Sequence, residues 1–235
     1  MANMTASSRR NVERIGHRGA PRRYLENTLP AFTEALRLGA DAVELDVHVT
    51  ADGLPVVHHD PVLSVRVRPA DFVRKAIASI DGAAITSIDL GAGSRVPTLA
   101  AVLAAMKGKK AYVEVKEGDI QAVADAIDAS GTTCAVHSFD HEAIVSARRI
   151  APHIPRGVLF DEWPVAPAAI VERTGARDVW PKNSLLTAAR LEELQGMGCR
   201  VIVWTVNDAG RIRELTEWGV DGICSDDLTL FGSAG

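Results

Sequence analysis

The sequence predicts a TIM (β/α)8 barrel with a small insertion after its second strand. Three observations carry the prediction. Apolar, β-branched runs begin near Ala111, Thr133, Arg156, Asp178, Arg200 and Asp221, at gaps of 22, 23, 22, 22 and 21 residues. Helix-period patterns lie between them, the mark of repeated βα units on a parallel sheet. Two further strands precede these six, which brings the chain to eight. The composition, 47% hydrophobic and 24% charged over 235 residues, supplies apolar mass for one such core. It excludes a disordered chain, a coiled coil and a disulfide-stapled scaffold. A doubly wound sheet is the alternative, and it lacks an early glycine-rich phosphate loop.

The elements follow in order. Residues 1–12 read as a polar, disordered tail, and residues 13–235 as one barrel domain. Ile15-Gly16-His17 closes the first strand. A helix then starts around Asn27-Thr28, with Pro30 in its first turn, Leu29, Phe32 and Leu36 on one face, and Gly39 at its end. The second strand runs from Ala42 to Val49. From Ala42 to Ala111 is 69 residues, about 47 more than a single unit requires. Part of the excess is a hairpin that turns at Ala51-Asp52-Gly53-Leu54 and returns through Pro55 to His59. The rest, residues 61–96, has weak periodicity and reads as the insertion. Pro97-Thr98 opens a helix with Leu99, Val102, Leu103 and Met106 on one face. Ile120, Val123 and Ile127 share a later helical face, as do Ile144, Val145 and Ile150, and Ile212 with Leu215.

Charge and cysteines limit the partners. With 26 basic and 30 acidic residues the net charge is −4, which leaves no polycationic field for nucleic acid. No run of about 18 apolar residues exists to form a transmembrane segment, and the N-terminus lacks a signal-peptide core. Cys134, Cys199 and Cys224 have no metal or redox spacing and sit in apolar runs, so buried thiols and a cytoplasmic setting are expected.

Barrel chemistry lies at the C-terminal strand ends. Strand one ends in His17-Arg18-Gly19, strand two carries Glu44-x-Asp46, and strand three carries Glu114-x-Lys116. Period-two alternation places Glu44 with Asp46, and Glu114 with Lys116, on one face each. Charges there are either a salt-bridge cluster, a solvated rim, or a hard metal ion held by three carboxylates beside a phosphate-binding cation. Their clustering on strands consecutive in the barrel favours the metal. With Asp52-Gly53 as a two-residue turn, Asp46 faces His59 and Val47 faces His58. His59 then returns to the carboxylate side while His58 points away as a surface residue, and a one-residue slip exchanges the two. Two histidines suit a general acid and base, Arg18 and Lys116 suit phosphate oxygens, and the set as a whole suits phosphodiester cleavage. Trp204 reads equally as barrel packing or as an apolar wall for a substrate, and Phe139 shares the ambiguity. Asn27 reads as a helix cap in the first instance, with reach into the site as the alternative. Asp226 and Asp227 read as caps or as partners of site residues. His48, His137, His141 and His153 read as structural, and Trp163 and Trp180 fall in Pro-flanked loops after strands five and six.

These residues resemble the glycerophosphodiester phosphodiesterases. The matching stretches are Gly16-His17-Arg18-Gly19, Glu26-Asn27-Thr28, Glu44-Leu45-Asp46-Val47, Pro55 to Asp60, Val96-Pro97-Thr98-Leu99, Glu114-Val115-Lys116, Ser138-Phe139, Trp204 to Asn207 and Gly219 to Gly222. They span almost the whole chain in the family's order. The resemblance implies Glu44, Asp46 and Glu114 as ligands of Mg²⁺ or Ca²⁺, His17 and His59 as the acid–base pair, and Arg18 and Lys116 on the phosphate. It also implies hydrolysis of a glycerophosphodiester to glycerol 3-phosphate and an alcohol. One departure lies in the insertion, where an Arg-Thr-Thr stretch common in the family is replaced by Pro61 to Arg68. The alternative activity is a lysophospholipase D, which wants an apolar rim, for which the insertion offers Phe72, Val73, Ile77 and Ile80. A silent phosphate-ester-binding barrel has no need of both histidines.

Overall fold

The computed structural model describes residues 11–66, 72–106 and 108–232. Most of the predicted tail therefore lies outside the described residues, as do residues 67–71 of the insertion and the side chains of Phe72 and Val73. Among the described residues no helix is long and apolar enough to cross a membrane.

The chain alternates strand and helix as its rhythm requires. In order, the elements are β1 (Glu13–Gly16), α1 (Leu29–Arg37), β2 (Ala42–Val49), β3 (Pro55–Val57), β4 (Val62–Arg66), β5 (Phe72–Ala76), α2 (Gly82–Ser87), β6 (Asp89–Gly91), β7 (Ser94–Arg95), α3 (Leu99–Ala105) and β8 (Lys110–Glu117). Then follow α4 (Ile120–Ser130), β9 (Cys134–Ser138), α5 (His141–Ile150), β10 (Arg156–Phe160), α6 (Pro167–Thr174), β11 (Asp178–Pro181), α7 (Ala188–Gly196), β12 (Arg200–Val203), α8 (Ala209–Trp218) and β13 (Gly222–Ser225). Strands β1, β2 and β8 to β13 pair in parallel. Because β1 bonds both β13 and β2, the sheet closes into an eight-stranded barrel.

Inward and outward positions alternate on every barrel strand. The outward residues pack under the helices. Phe32 of α1, Leu99 and Leu103 of α3, and Val123 and Ile127 of α4 meet Val43, Leu45, Val113 and Val136 in one core, and Ile212 and Leu215 of α8 meet Val201 and Ile223 in another. Leu29 and Ile150, the first residue of α1 and the last of α5, are exposed instead. The inward residues Ile15, Ala42, Tyr112, Ala135, Leu159, Trp180, Ile202 and Cys224 fill the barrel's waist. Trp180 is thus a strand residue of the interior and not part of a loop. All three cysteines are buried free thiols. Below the waist, Glu13 is bonded by Lys110 at 2.6 Å, Tyr112 at 2.6 Å and Arg200 at 2.7 Å. Arg200 also reaches Asp178 at 3.2 Å, so charge pairs close the floor.

The hairpin after β2 departs from the expected register. Val47 faces Val57, His48 faces Val56, and Val49 faces Pro55. The turn has three residues, Ala51 to Gly53, because the Thr50 N–H bonds the Leu54 carbonyl and Gly53, at φ +84°, bonds back to Thr50. A glycine in the left-handed region at the end of such a loop absorbs the extra residue. Beyond the hairpin, β4 pairs with β5 and β6 with β7 outside the barrel sheet. Ile77 and Ile80, expected on an apolar rim, are buried there with Val56, Leu63, Ile85 and Val96.

Candidate active site

The C-terminal mouth of the barrel gathers the charged side chains that the alternation placed inward. Register aligns Asp46 of β2 with Glu114 of β8, and Glu114 with His137 of β9. Glu44 lies two residues below Asp46 on the same face. All four are buried. Asp46 is the hub. Its Oδ2 accepts from Asn27 Nδ2 at 2.8 Å and lies 3.1 Å from Arg18 Nε. Its Oδ1 lies 3.3 Å from Lys116 Nζ, which also bonds Glu114 Oε1 at 2.8 Å. The Arg18 backbone N–H donates to Glu44 Oε2 at 3.1 Å, from a residue held at φ +52°.

These contacts set the protonation. Burial pushes the Glu44 carboxyl well above its ordinary range, and the neighbouring Asp46 and Glu114 add repulsion. Glu114 is raised by the same burial and by Asp46. Asp46 goes the other way: burial opposes its charge, but Arg18 and Lys116 outweigh it. Three buried carboxylates with two of them pushed toward the neutral form are a site short of positive charge. Ligand atoms of Glu44, Glu114 and His137 all lie within 4.8 Å of one another. That donor set fits a divalent cation.

Two histidines flank the carboxylates. His17 follows β1, with its N–H on the Ser225 carbonyl at 2.9 Å. Its ring Nδ1 lies 2.6 Å from Asp226 Oδ1, and its Nε2 lies 3.9 Å from Glu44 Oε2. Asp226 is fixed in turn by Asn207, whose Nδ2 donates to Oδ2 at 2.6 Å and whose Oδ1 accepts the Asp226 N–H at 2.9 Å. Asp226 is therefore a partner of a site residue, while Asp227 caps the turn at Thr229. His59 lies past the last paired residue of β3, with Nδ1 2.7 Å from Asp60 Oδ1 and its carbonyl 3.1 Å from His48 Nε2. Its imidazole is near enough to contribute, after Arg18, Lys116 and Asn27, to the lowering of the Asp46 carboxyl. The one-residue register difference puts His58 across from Asp46, and the His58 N–H donates to the Asp46 carbonyl at 3.0 Å. His58 is thus half-buried, with a pKa lowered by that burial, and not a free surface residue. Strand alternation therefore does not assign His59 its side.

The apolar edge of the mouth comes from β9 and β12. The Phe139 and Trp204 rings meet edge to face at 5.3 Å, and Lys116 Nζ sits 5.8 Å from the Phe139 centroid. Trp204 is anchored by its Nε1 donating to the Trp180 carbonyl at 2.8 Å. Two positions depart from the reading that the sequence favours. Asn27, at φ +57°, turns into the site and bonds Asp46 through both ends of its amide, leaving the helix cap to Thr28. His137, expected to be structural, stands beside Glu44 and Glu114. The signal for His137 is its inward parity between Ala135 and Phe139, which becomes chemical only once β8 and β9 are aligned.

Comparison with known proteins identifies the family. Residues 17–230 match the Glycerophosphoryl diester phosphodiesterase family. The chain belongs to that family. A glycerophosphodiester phosphodiesterase of Caldanaerobacter subterraneus subsp. tengcongensis is 31% identical over 91% of this chain and 93% of its own. Among solved structures, an Oleispira antarctica phosphodiesterase in complex with the product sn-glycerol-3-phosphate superposes with a TM-score of 0.84 at 25% identity, covering 91% of this chain and 92% of that one. A glycerophosphodiester phosphodiesterase of Agrobacterium tumefaciens gives 0.82 at 28% identity, covering 94% and 98%. As a member of this family the chain is a glycerophosphodiester phosphodiesterase by class.

Proposed function

We propose that the protein hydrolyses small glycerophosphodiesters, such as glycerophosphocholine or glycerophosphoethanolamine, to glycerol 3-phosphate and an alcohol. The supporting observation is the juxtaposition at one barrel mouth of a buried three-carboxylate cluster, two cations and a histidine braced by Asp226. Glu44, Asp46 and Glu114 would hold a divalent ion, Mg²⁺ or Ca²⁺ in the simplest case. When bound, such an ion supplies charge neutralisation at the phosphoryl oxygens. Arg18 and Lys116 already carry charge at that point and face the oxygens that gain charge as the diester is cleaved. Asp226 accepts from Nδ1–H of His17 and so leaves Nε2 directed at the site, the tautomer that takes up or delivers a proton there. One of His17 and His59 removes a proton from the attacking oxygen, and the other protonates the departing alkoxide. Trp204 with Phe139 forms an apolar wall for the glycerol carbons.

Burial of Ile77 and Ile80 takes two apolar side chains away from the mouth, which favours a soluble diester over a lysolipid. The test is release of glycerol 3-phosphate from glycerophosphocholine against choline release from lysophosphatidylcholine, each with added Mg²⁺ or Ca²⁺. Cleavage of the soluble diester supports the proposal; cleavage of the lysolipid alone overturns it.

A further inference from the structure

His137 is a buried member of the mouth that the proposed reaction does not use. Its ring is only 1% exposed, and neither Nδ1 nor Nε2 has a hydrogen-bond partner. Buried polar atoms are almost always bonded, and an unbonded one costs about 1–3 kcal/mol, so a pair on one ring requires an explanation. Packing explains the ring plane but not the nitrogens. The imidazole stacks on Trp180 with centroids 4.5 Å apart and planes at 25°, and it meets Tyr112 at 6.3 Å. Gly157, next in register after His137, leaves room for Trp180, since a Cβ there would lie 3.2 Å from that ring. A phenyl ring would fill the same slot without burying polar atoms.

The nitrogens do have neighbours of another kind. His137 Nε2 lies 3.9 Å from Glu44 Oε1, too far for a hydrogen bond and close enough to share an ion. With Glu44 and Glu114 it forms a compact donor group.

We propose that His137 supplies a nitrogen ligand to the divalent ion held by Glu44 and Glu114. A mixed oxygen and imidazole set then biases the site toward Mn²⁺, Co²⁺ or Zn²⁺ over Mg²⁺ or Ca²⁺. This deepens the reading of the carboxylates as metal ligands and rests on it.

The test uses the full chain, stripped with chelator and titrated with Mn²⁺ in competition with Mg²⁺, with pulsed EPR of the Mn²⁺ form reading coupling to ¹⁴N. Coordination by His137 predicts an imidazole ¹⁴N coupling that disappears in His137→Gln. In that variant the preference for Mn²⁺ over Mg²⁺ falls about tenfold or more. His137→Phe, which keeps the stack on Trp180, gives the same loss if Gln disturbs folding. If Mn²⁺ binds and both variants keep the wild-type spectrum and preference, the inference is overturned while the carboxylate site stands. If no divalent ion binds the wild-type protein, the carboxylate reading falls and the inference with it. Absence of ¹⁴N coupling in Mn²⁺-loaded wild type overturns the inference alone.

Discussion

His17 is held from one side by Asp226 and directed from the other at Glu44, so its two nitrogens have separate duties. Replacing His17 by Ala removes the group that moves the proton. Turnover should drop about 10²- to 10⁴-fold, read as glycerol 3-phosphate release, with divalent-ion binding nearly intact. Asp226→Asn keeps the shape and loses the charge that orients the ring. A hydrogen bond to a charged group is worth about 1.5–3 kcal/mol, so kcat should fall roughly 10- to 100-fold with little change in KM. An unchanged kcat would reduce Asp226 to a strand-end clamp. Paired carboxylates two residues apart, a His-Arg-Gly at a strand end and a Glu-x-Lys are legible in the sequence because each lies within one strand. His137 and the contacts of Asn27 and Asp226 are not, because each depends on a partner 19 or more residues away, brought close only by strand register.

At the scale of elements, β1 and α1 are joined by a turn that must place Arg18 and Asn27 in the mouth. Gly19 makes the turn possible. Its φ is +91°, and a Cβ there would lie 2.6 Å from the Ala31 carbonyl carbon in α1. Gly19→Ala meets both backbone strain and a clash. Denaturation should show a loss of about 1–3 kcal/mol or more, and activity should fall as Arg18 and His17 are displaced. A variant as stable as wild type would mean that the loop relaxes freely. The 22-residue rhythm makes the barrel strands and the faces of α3, α4 and α8 legible, since burial under the sheet enforces the period. The hairpin shows where such reading stops. An Ala-Asp-Gly-Leu stretch suits two-residue and three-residue turns alike. The choice is made by the Thr50 to Leu54 hydrogen bonds and by Asp52, which reaches Gly82 of α2 at 2.9 Å. The apolar residues of the insertion look like a rim in sequence because their partners, Val56 and Val96, lie outside it or at its edge.

On the scale of the whole molecule the barrel divides its charges between two ends. The mouth carries carboxylates short of compensation, whereas the floor pairs its charges fully. Glu13 shows the sign of that pairing. Burial opposes its charge, yet the hydrogen bonds from Lys110, Tyr112 and Arg200 leave its pKa below the ordinary 4.5. A carboxylate lowered in the folded state contributes stability above its unfolded pKa and loses it as pH falls through the folded value. Glu13→Gln should therefore cost about 1.5–3 kcal/mol at pH 7. The gap to wild type should close as pH drops below 4.5, followed by denaturant titration at each pH. A gap that stays constant with pH would mean that the pairing on the floor is not electrostatic. The near-neutral total of 26 basic and 30 acidic residues hides this separation, because a sum over the chain has no position in it.

The central claim is that the carboxylate cluster of the mouth works with the two histidines on a phosphodiester. The rate of glycerol 3-phosphate release from glycerophosphocholine tests it most directly, measured after chelation, after return of a divalent ion, and in Glu114→Gln. The account predicts turnover that is lost on chelation, restored by the ion, and about tenfold or more lower in the variant at equal ion concentration. Full turnover in chelator, with the variant as active as wild type, would contradict it.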